Sequence, residues 1–269
     1  MFRTLRDIIR DNWEWRGQTW RLAMTELRKE VRGTVLGWVW LLLTPAIYLA
    51  VFWFALAIGL RNRSPVDGVP FIVWLAAGIV PWFFMSRMLG GGSDVYHRYS
   101  YLVNKLRFPI SVISSFFALA KFIVFLMSML LVFALMVGFR IPLTIYALQL
   151  PVVAIVMYLF WTLWSMATSP LSALSRDFHN LVKALSTPLF WVSGIIFRVD
   201  NIEIEWVQRL YRVNPITFFA TSMRASLCEH FWMWDRPDLL WPFVAVFFVM
   251  LVAAVLIQTR LRTEIADVL

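Results

Sequence analysis

Residues 33–60 form a run of 28 positions without a charged side chain. At 1.5 Å per residue a helix over this run is about 42 Å long, and the hydrocarbon core of a bilayer needs only about 20 apolar residues. Lipid offers no partner to backbone N–H and C=O groups, so a helix is the single-segment solution. Comparable runs follow at residues 68–86 (19 positions), 108–139 (32, interrupted only by Lys121), 141–175 (35) and 239–259 (21). Pro142 and Pro151 assign the start of the fourth of these to a loop or a tilted approach. Residues 184–197 are shorter, 14 positions reaching about 21 Å, so a crossing there has to begin near His179 with Lys183 snorkelling. Residues 213–223, opened by Asn214-Pro215, are too short to span and read as a re-entrant or interfacial piece. The pattern therefore predicts an all-α polytopic membrane protein with six transmembrane helices, the fifth irregular.

The first 32 residues follow a different rhythm. Ile9, Trp13, Trp20, Met24, Leu27 and Val31 recur at helical i, i+3/i+4 spacing, with Gly17 a gap in the stripe. This predicts an amphipathic helix over residues 1–32, lying in the inner headgroup layer with its basic residues toward lipid phosphate. It either braces the membrane surface or receives a cytoplasmic partner. The segment lacks the apolar stretch of a signal peptide. A six-helix membrane domain over residues 33–260 and a short tail over 261–269 complete the organisation. With six crossings, 16 Lys and Arg fall on the side of both termini and 8 on the other, which directs both termini to the cytoplasm.

Composition agrees with the pattern: 61% hydrophobic and 15% charged residues, 15 Trp and 23 Phe, and a mean hydropathy of +0.72. An ordinary soluble domain carries about 25% charged residues. The net charge of +9 is read as cytoplasmic loops facing anionic lipid rather than nucleic acid. The single cysteine, Cys228, permits no internal disulfide and reads as a small packing residue.

Several chemistries are missing. All 16 acidic residues lie outside the five confident spans, which disfavours a proton relay within the membrane. His97, His179 and His230 occupy three separate loops without metal-ligand spacing. No G-x-x-x-x-G-K-[ST] phosphate loop is present; Gly90-Gly91-Gly92-Ser93 lacks the lysine. Any energy from ATP must come from another chain, no cofactor is expected in this one, and a channel or structural membrane protein that needs no ATPase is the alternative from another class.

Two loops on the terminal side are candidates for contact with such a chain. Tyr96, Tyr99, Val103 and Leu106 make a helical stripe beside Arg98, Lys105 and Arg107. Ser175 is placed to cap a helix whose first turn holds Arg176, Asp177 and Phe178. Partner contacts and plain connecting helices fit both equally. Within the spans, Trp38, Tyr48 and Phe52 of the first and Phe190, Trp191 and Phe197 of the fifth are rings able to stack on sugar faces or to anchor in lipid. Lys121 shares a helix face with Ser114 and Ser128, and a charge there should face protein or water; an anionic substrate and backbone carbonyls are both possible partners.

The stretch P-V-D-G-V-P-F-I-V-W-L-A-A-G-I-V-P-W-F-F at 65–84 resembles the second-span signature of ABC transporter permeases that export cell-surface polymers. G-T-V-L-G-W-V-W-L-L-L-T-P at 33–45, K-L-R-F-P at 105–109 and Asn214-Pro215 are similar to the same family. With F-F-A-L-A-K at 116–121 the nearest likeness is to wall teichoic acid export permeases, with capsule and O-antigen permeases as the alternative. The resemblance implies two copies of this chain with two ATP- and magnesium-binding subunits in the plasma membrane. It makes Tyr96, Arg98, Tyr99, Leu102, Lys105, Arg107, Arg176, Asp177 and Phe178 ATPase-coupling residues, and residues 201–227 short outer gate helices. It also makes the first and fifth spans, with Lys121, the path of an undecaprenyl-diphosphate-linked polymer.

Overall fold

The computed structural model describes residues 2–59, 65–105 and 108–268. Two amphipathic helices open the chain, α1 (Phe2–Glu14) and α2 (Arg16–Val31). The first span combines a 3-10 turn, α3 (Trp40–Trp53) and a π turn into Gly37–Gly59. The next elements are α4 (Phe71–Ser93), the short α5 (Val95–Arg98) and α6 (Ser100–Lys105), then α7 (Ile110–Gly138) and α8 (Leu150–Leu174). The chain finishes with α9 (Arg176–Trp191), α10 (Glu205–Val213), α11 (Pro215–Arg224) and α12 (Pro237–Val268). Among the described residues there is no strand, only an isolated bridge between Val66 and Val69. It closes a turn in which Asp67 and Gly68 take positive φ, 51° and 79°.

Among the described residues five helices are long and apolar enough to cross a bilayer: Gly37–Gly59, Phe71–Ser93, Ile110–Gly138, Ile145–Leu174 and Pro237–Leu261. The predicted fifth crossing is the exception. Its helix α9 has 16 residues, about 24 Å, and its first two turns carry Arg176, Asp177, His179 and Lys183. It nevertheless follows α4 from end to end. His179 Nδ1 lies 3.4 Å from Ser93 Oγ at one end of α4. Beyond α9 the Gly194 carbonyl accepts from Arg224, which also donates to the Trp74 carbonyl near the other end.

One end of the bundle, here the proximal end, gathers both chain termini, α5 and α6: Thr259 Oγ1 donates to Thr4 Oγ1 at 2.9 Å, and Gln258 Nε2 to Tyr96 Oη at 2.6 Å. The distal end holds α10, α11 and the turn at Asp67. Helix α4 is the hub, with 78% of its apolar window buried in the chain against 28% for the first span and 17% for α12. It continues seven residues past Ser86, where the apolar run ends, and so takes Arg87 into the helix.

The fourth run starts as its prolines predict. Residues 141–144 are not helical, a 3-10 turn covers Ile145–Gln149, and Pro151 sits in the first turn of α8, where its missing N–H costs nothing. Asn214 caps α11 through Oδ1, which accepts from the Ile216 N–H at 2.9 Å. The piece behind it is a buried wedge: Phe219 is fully buried and meets Phe160 of α8 at 5.9 Å. Phe160 lies ten residues along α8 from Leu150, about 15 Å deep.

The single helix expected over residues 1–32 is instead two, with a bend at Trp15 that lets this ring pack edge-on against Phe108 at 4.9 Å. The bend also divides the hydrophobic stripe. Ile9, Trp13 and Trp20 are more than half exposed, whereas Leu27 and Val31 are buried with Thr19, Ala23 and Glu26 against the bundle.

Candidate functional site

Three helices that each contain a proline, α3 with Pro45, α4 with Pro81 and α9 with Pro188, enclose a groove of about 550 Å³. A proline inside a helix removes one rung of the hydrogen-bond ladder, so none of the three walls is a regular rod. The helical i, i+4 repeat aims Tyr48 and Phe52 from α3, Phe83 and Arg87 from α4, and Thr187 and Trp191 from α9 into this groove. Phe190 is the keystone: its ring centroid lies 5.1 Å from Phe52, 5.5 Å from Trp82 and 5.4 Å from Trp191. Tyr48 and Phe83 are 6.0 Å apart. The Thr44, Ser86, Ser186 and Thr187 hydroxyls and the Arg87 guanidinium add polar groups to an otherwise aromatic wall.

Tyr48, Phe52, Phe190 and Trp191 of the predicted path thus converge, although α3 and α9 are some 140 residues apart in sequence. The other three path residues lie elsewhere. Trp38, in the 3-10 turn before α3, faces outward. Phe197 packs on Tyr211 at the distal end. Lys121 is buried behind the groove. Sequence reasoning missed Trp82, Phe83 and Arg87. Trp82 and Phe83 stand inside the G-I-V-P-W-F-F signature, and Arg87 lies one turn beyond Phe83 on the same face, so the helical repeat carried the signal.

Arg87 connects the groove to a buried charge junction. Its Nη1 lies 3.7 Å from Glu30 Oε2 of α2. Glu30 also accepts from Lys121 Nζ of α7, and Glu26, one turn earlier on α2, lies 3.7 Å from the same ammonium. Glu26 in turn accepts from the Tyr99 hydroxyl and has Arg98 and Lys29 each at 3.8 Å. Lys121 additionally sits 4.8 Å from the Phe117 ring centroid. Lys121 and Glu26 are only 5% and 6% exposed, a depth at which an ion must be paired. Hence Lys121, for which the spans hold no acidic partner, finds two on the N-terminal helix. Its ammonium is engaged there instead of in the aromatic groove.

This junction changes the reading of the first predicted coupling segment. Tyr96, Tyr99 and Leu102 are buried in the chain itself. Tyr96 N–H donates to Ser169 Oγ at 2.9 Å, and burial pushes its phenol up to about 12. Burial and the Glu26 carboxylate raise the Tyr99 pKa as well, keeping this hydroxyl a proton donor. Tyr96, Tyr99 and Leu102 therefore lie on the inward face of this segment, because aromatic area at the helix spacing is buried first. Arg98 and Tyr101 are left on the outside. Lys105 ends α6, and Leu106 and Arg107 lie outside the described residues. In the second segment Ser175 Oγ accepts from the Phe178 N–H at 3.4 Å and Asp177 stands in the first turn. Arg176 and Asp177 are exposed and Phe178 half-buried. This proximal tip is continuous with the stretch of α9 that lines the groove.

A bundle of apolar helices around a hub, with an amphipathic pair folded onto one end, is the frame of a polytopic membrane protein. The chain belongs to the ABC-2 type transporter family, whose model matches residues 17–228. It is 26% identical to the O-antigen export system permease protein RfbA of Myxococcus xanthus over 263 residues, covering 97% of this chain and 98% of the relative. It is 20% identical to the protein of the same name from Klebsiella pneumoniae over 248 residues, 91% and 92% of the two chains. These relatives are named for O-antigen export, which favours the O-antigen alternative over the expectation of a teichoic acid permease.

Proposed function

We propose that this chain is the membrane subunit of an ATP-driven exporter of a lipid-linked, O-antigen-type polysaccharide in the plasma membrane. The proximal end faces the cytoplasm, α9 with the turn after it makes a sixth crossing, and a second copy plus two separate ATP-binding subunits complete the transporter. The observation that carries this reading is the groove of Tyr48, Phe52, Trp82, Phe83, Phe190 and Trp191 above Arg87. Flat rings offer apolar faces to the C–H faces of sugars without fixing the linkage, as a polymer path requires. Arg87 supplies a charged fork suited to a phosphate. Full-length likeness to permeases named for O-antigen export supports the polymer class. A teichoic acid polymer remains the second reading, since Arg87 suits a polyol phosphate equally well.

Helix α9 gives a physical route from ATPase to polymer. Its exposed tip, Arg176 and Asp177, is where a partner can push, and Ser186, Thr187, Phe190 and Trp191 lie about three to four turns along the same helix. A displacement at the tip therefore moves one wall of the groove. The test is to reconstitute the chain with the ATP-binding subunit of its transporter and measure ATP hydrolysis with lipid-linked polysaccharide or with lipid-linked polyol phosphate. Polysaccharide is expected to stimulate more, and Phe190→Ala to lower that stimulation at least about tenfold while the assembled complex persists. Unchanged stimulation in Phe190→Ala removes the groove from the path, and stronger stimulation by polyol phosphate reinstates teichoic acid.

A further inference from the structure

Apart from the groove, α1 leans over α8 and α12 and leaves a cavity of about 860 Å³ between them. Leu5, Ile8 and Trp13 of α1 face Leu163 and Met166 of α8 and Leu251 of α12 across it. The few polar groups in the wall are already satisfied within the chain. Thr162 Oγ1 donates to the Tyr158 carbonyl at 2.7 Å, Tyr158 Oη to the Ser115 carbonyl at 3.4 Å, and Asn12 Nδ2 to the Ile8 carbonyl at 2.8 Å. These donors are used within the chain and the rest of the wall between the helices is apolar side chain, so the volume suits hydrocarbon better than water.

The mouth has a charge. Arg6 and Arg10, one helical turn apart on α1, line the cavity and are exposed, and no acidic residue lines it. Arg10 has only long contacts to Asp11 and Glu14, 3.7 and 3.8 Å. Asp7 and Asp11 face a separate crevice beside Ser111 and Gln258. An apolar pocket under two arginines at the proximal end matches one kind of molecule, an anionic amphiphile of the membrane.

We propose that this cavity holds an anionic diacyl phospholipid of the proximal leaflet, its chains beneath α1 and its phosphate at Arg6 and Arg10. The transported lipid is the less suitable occupant, because the cavity shares no residue with the aromatic groove on α3, α4 and α9. The bound lipid fills the gap that α1 leaves and ties this helix to α8 and α12. The site stands whether or not the polymer assignment does.

The test counts phospholipid retained by the full-length chain in mild detergent, by native mass spectrometry, with phosphatidylglycerol, phosphatidylcholine or undecaprenyl diphosphate as probe. Phosphatidylglycerol is expected to be kept at one per chain and phosphatidylcholine far less. The Arg6→Gln/Arg10→Gln variant, both positions exposed, should weaken phosphatidylglycerol retention about tenfold or more, from the loss of two interfacial cations. Leu163→Trp, which fills the cavity, should lower retention of both phospholipids. Equal retention of the two phospholipids, or no change in the double glutamine variant, overturns the proposal. Displacement of phosphatidylglycerol by an equal amount of undecaprenyl diphosphate overturns it too and gives the cavity to the transported lipid.

Discussion

Arginines, lysines and carboxylates crosslink both ends of the bundle, in opposite settings. At the proximal end Lys121, Glu26 and Glu30 join α7 to α2 across about 90 residues of sequence, and the central pair is almost completely buried. At the distal end Arg198 reaches Asp67 and Glu229, while Arg212 and Arg236 share Asp200 and Asp238. There the carboxylates Asp67 and Asp200 are about half exposed. In the low-dielectric interior both the Coulomb attraction and the desolvation cost are large, so losing one partner is severe. At the surface both are small, and a pair contributes about 0–1 kcal/mol. Apart from Glu229, which is 9% exposed and also accepts from Trp74 Nε1 of α4 at 2.8 Å, the same residue types fix helix positions at one end and pin loops at the other.

The largest effect expected from this contrast is at Lys121. Lys121→Leu leaves Glu26 and Glu30 without their buried counter-charge, and about 3–5 kcal/mol of stability should be lost. Lys121→Arg should keep most of it, and Glu26→Gln/Glu30→Gln in the Leu background should recover a large part. Thermal unfolding of the purified chain checks this. If Lys121→Leu costs no more than Arg212→Ala at the distal surface, the contrast between the ends is wrong.

A smaller effect sharpens the comparison, because the distal end also has one buried cation. Arg224 of α11, 2% exposed, places its guanidinium 3.4 Å from the Trp74 ring centroid and donates to the carbonyls of Trp74, Gly194 and Ile195. Carbonyl dipoles and a ring face take the place of a carboxylate partner. Gly78 makes the approach possible: a Cβ there would stand 2.6 Å from Arg224 Cζ. Gly78→Ala should therefore cost about 1–3 kcal/mol, the usual price of overpacking. Limited proteolysis should show α11 loosened while the proximal junction stays protected. Wild-type melting and cleavage in this variant would mean that Arg224 moves aside freely.

How much of this was legible in the sequence follows from what each feature depends on. The five apolar runs, the late start of α8, the break at Asn214-Pro215 and the cap at Ser175 depend on neighbours a few residues away, and they were readable. The proximal end of α4 was not, because Arg87 closes the apolar run while the helix continues under protein cover. The Tyr96–Tyr99 stripe was seen, but periodicity does not say whether a face meets its own chain or another. The partners of Lys121 were hidden for a related reason. Glu26 and Glu30 lie on a helix whose amphipathic pattern suggests a lipid surface, and only the fold against α7 shows that this face carries a charge inward. Of the groove lining, Tyr48, Phe52, Phe190 and Trp191 are legible by residue type, whereas the helical repeat groups Phe83 with Arg87 but does not say that this side of the hub is the one α3 and α9 cover.

The smallest effect concerns acid. The Arg198 side chain, hydrogen-bonded to Asp67, holds that carboxyl below its ordinary value of 3.8. A carboxyl with a depressed folded pKa contributes stability that is fully present above its unfolded pKa and is lost as pH falls through the folded one. The pin between the Asp67 turn and Arg198 should therefore hold at neutral pH and open only below about pH 4. Because Asp67 is about half exposed, solvent screening limits the contribution to well under about 1 kcal/mol. Global unfolding should hardly register it. Hydrogen exchange at the amides of Val66 and Val69, which bond to each other across the turn at 2.9 and 3.0 Å, is the sensitive measurement. Their protection should be flat from pH 7 to about 5, after correction for intrinsic exchange, and fall below that. Asp67→Asn should show the low-pH level throughout. Equal protection in wild type and Asp67→Asn at neutral pH would mean that the Val66–Val69 bridge holds the turn unaided, leaving the distal end with even less electrostatic pinning than its ion pairs suggest.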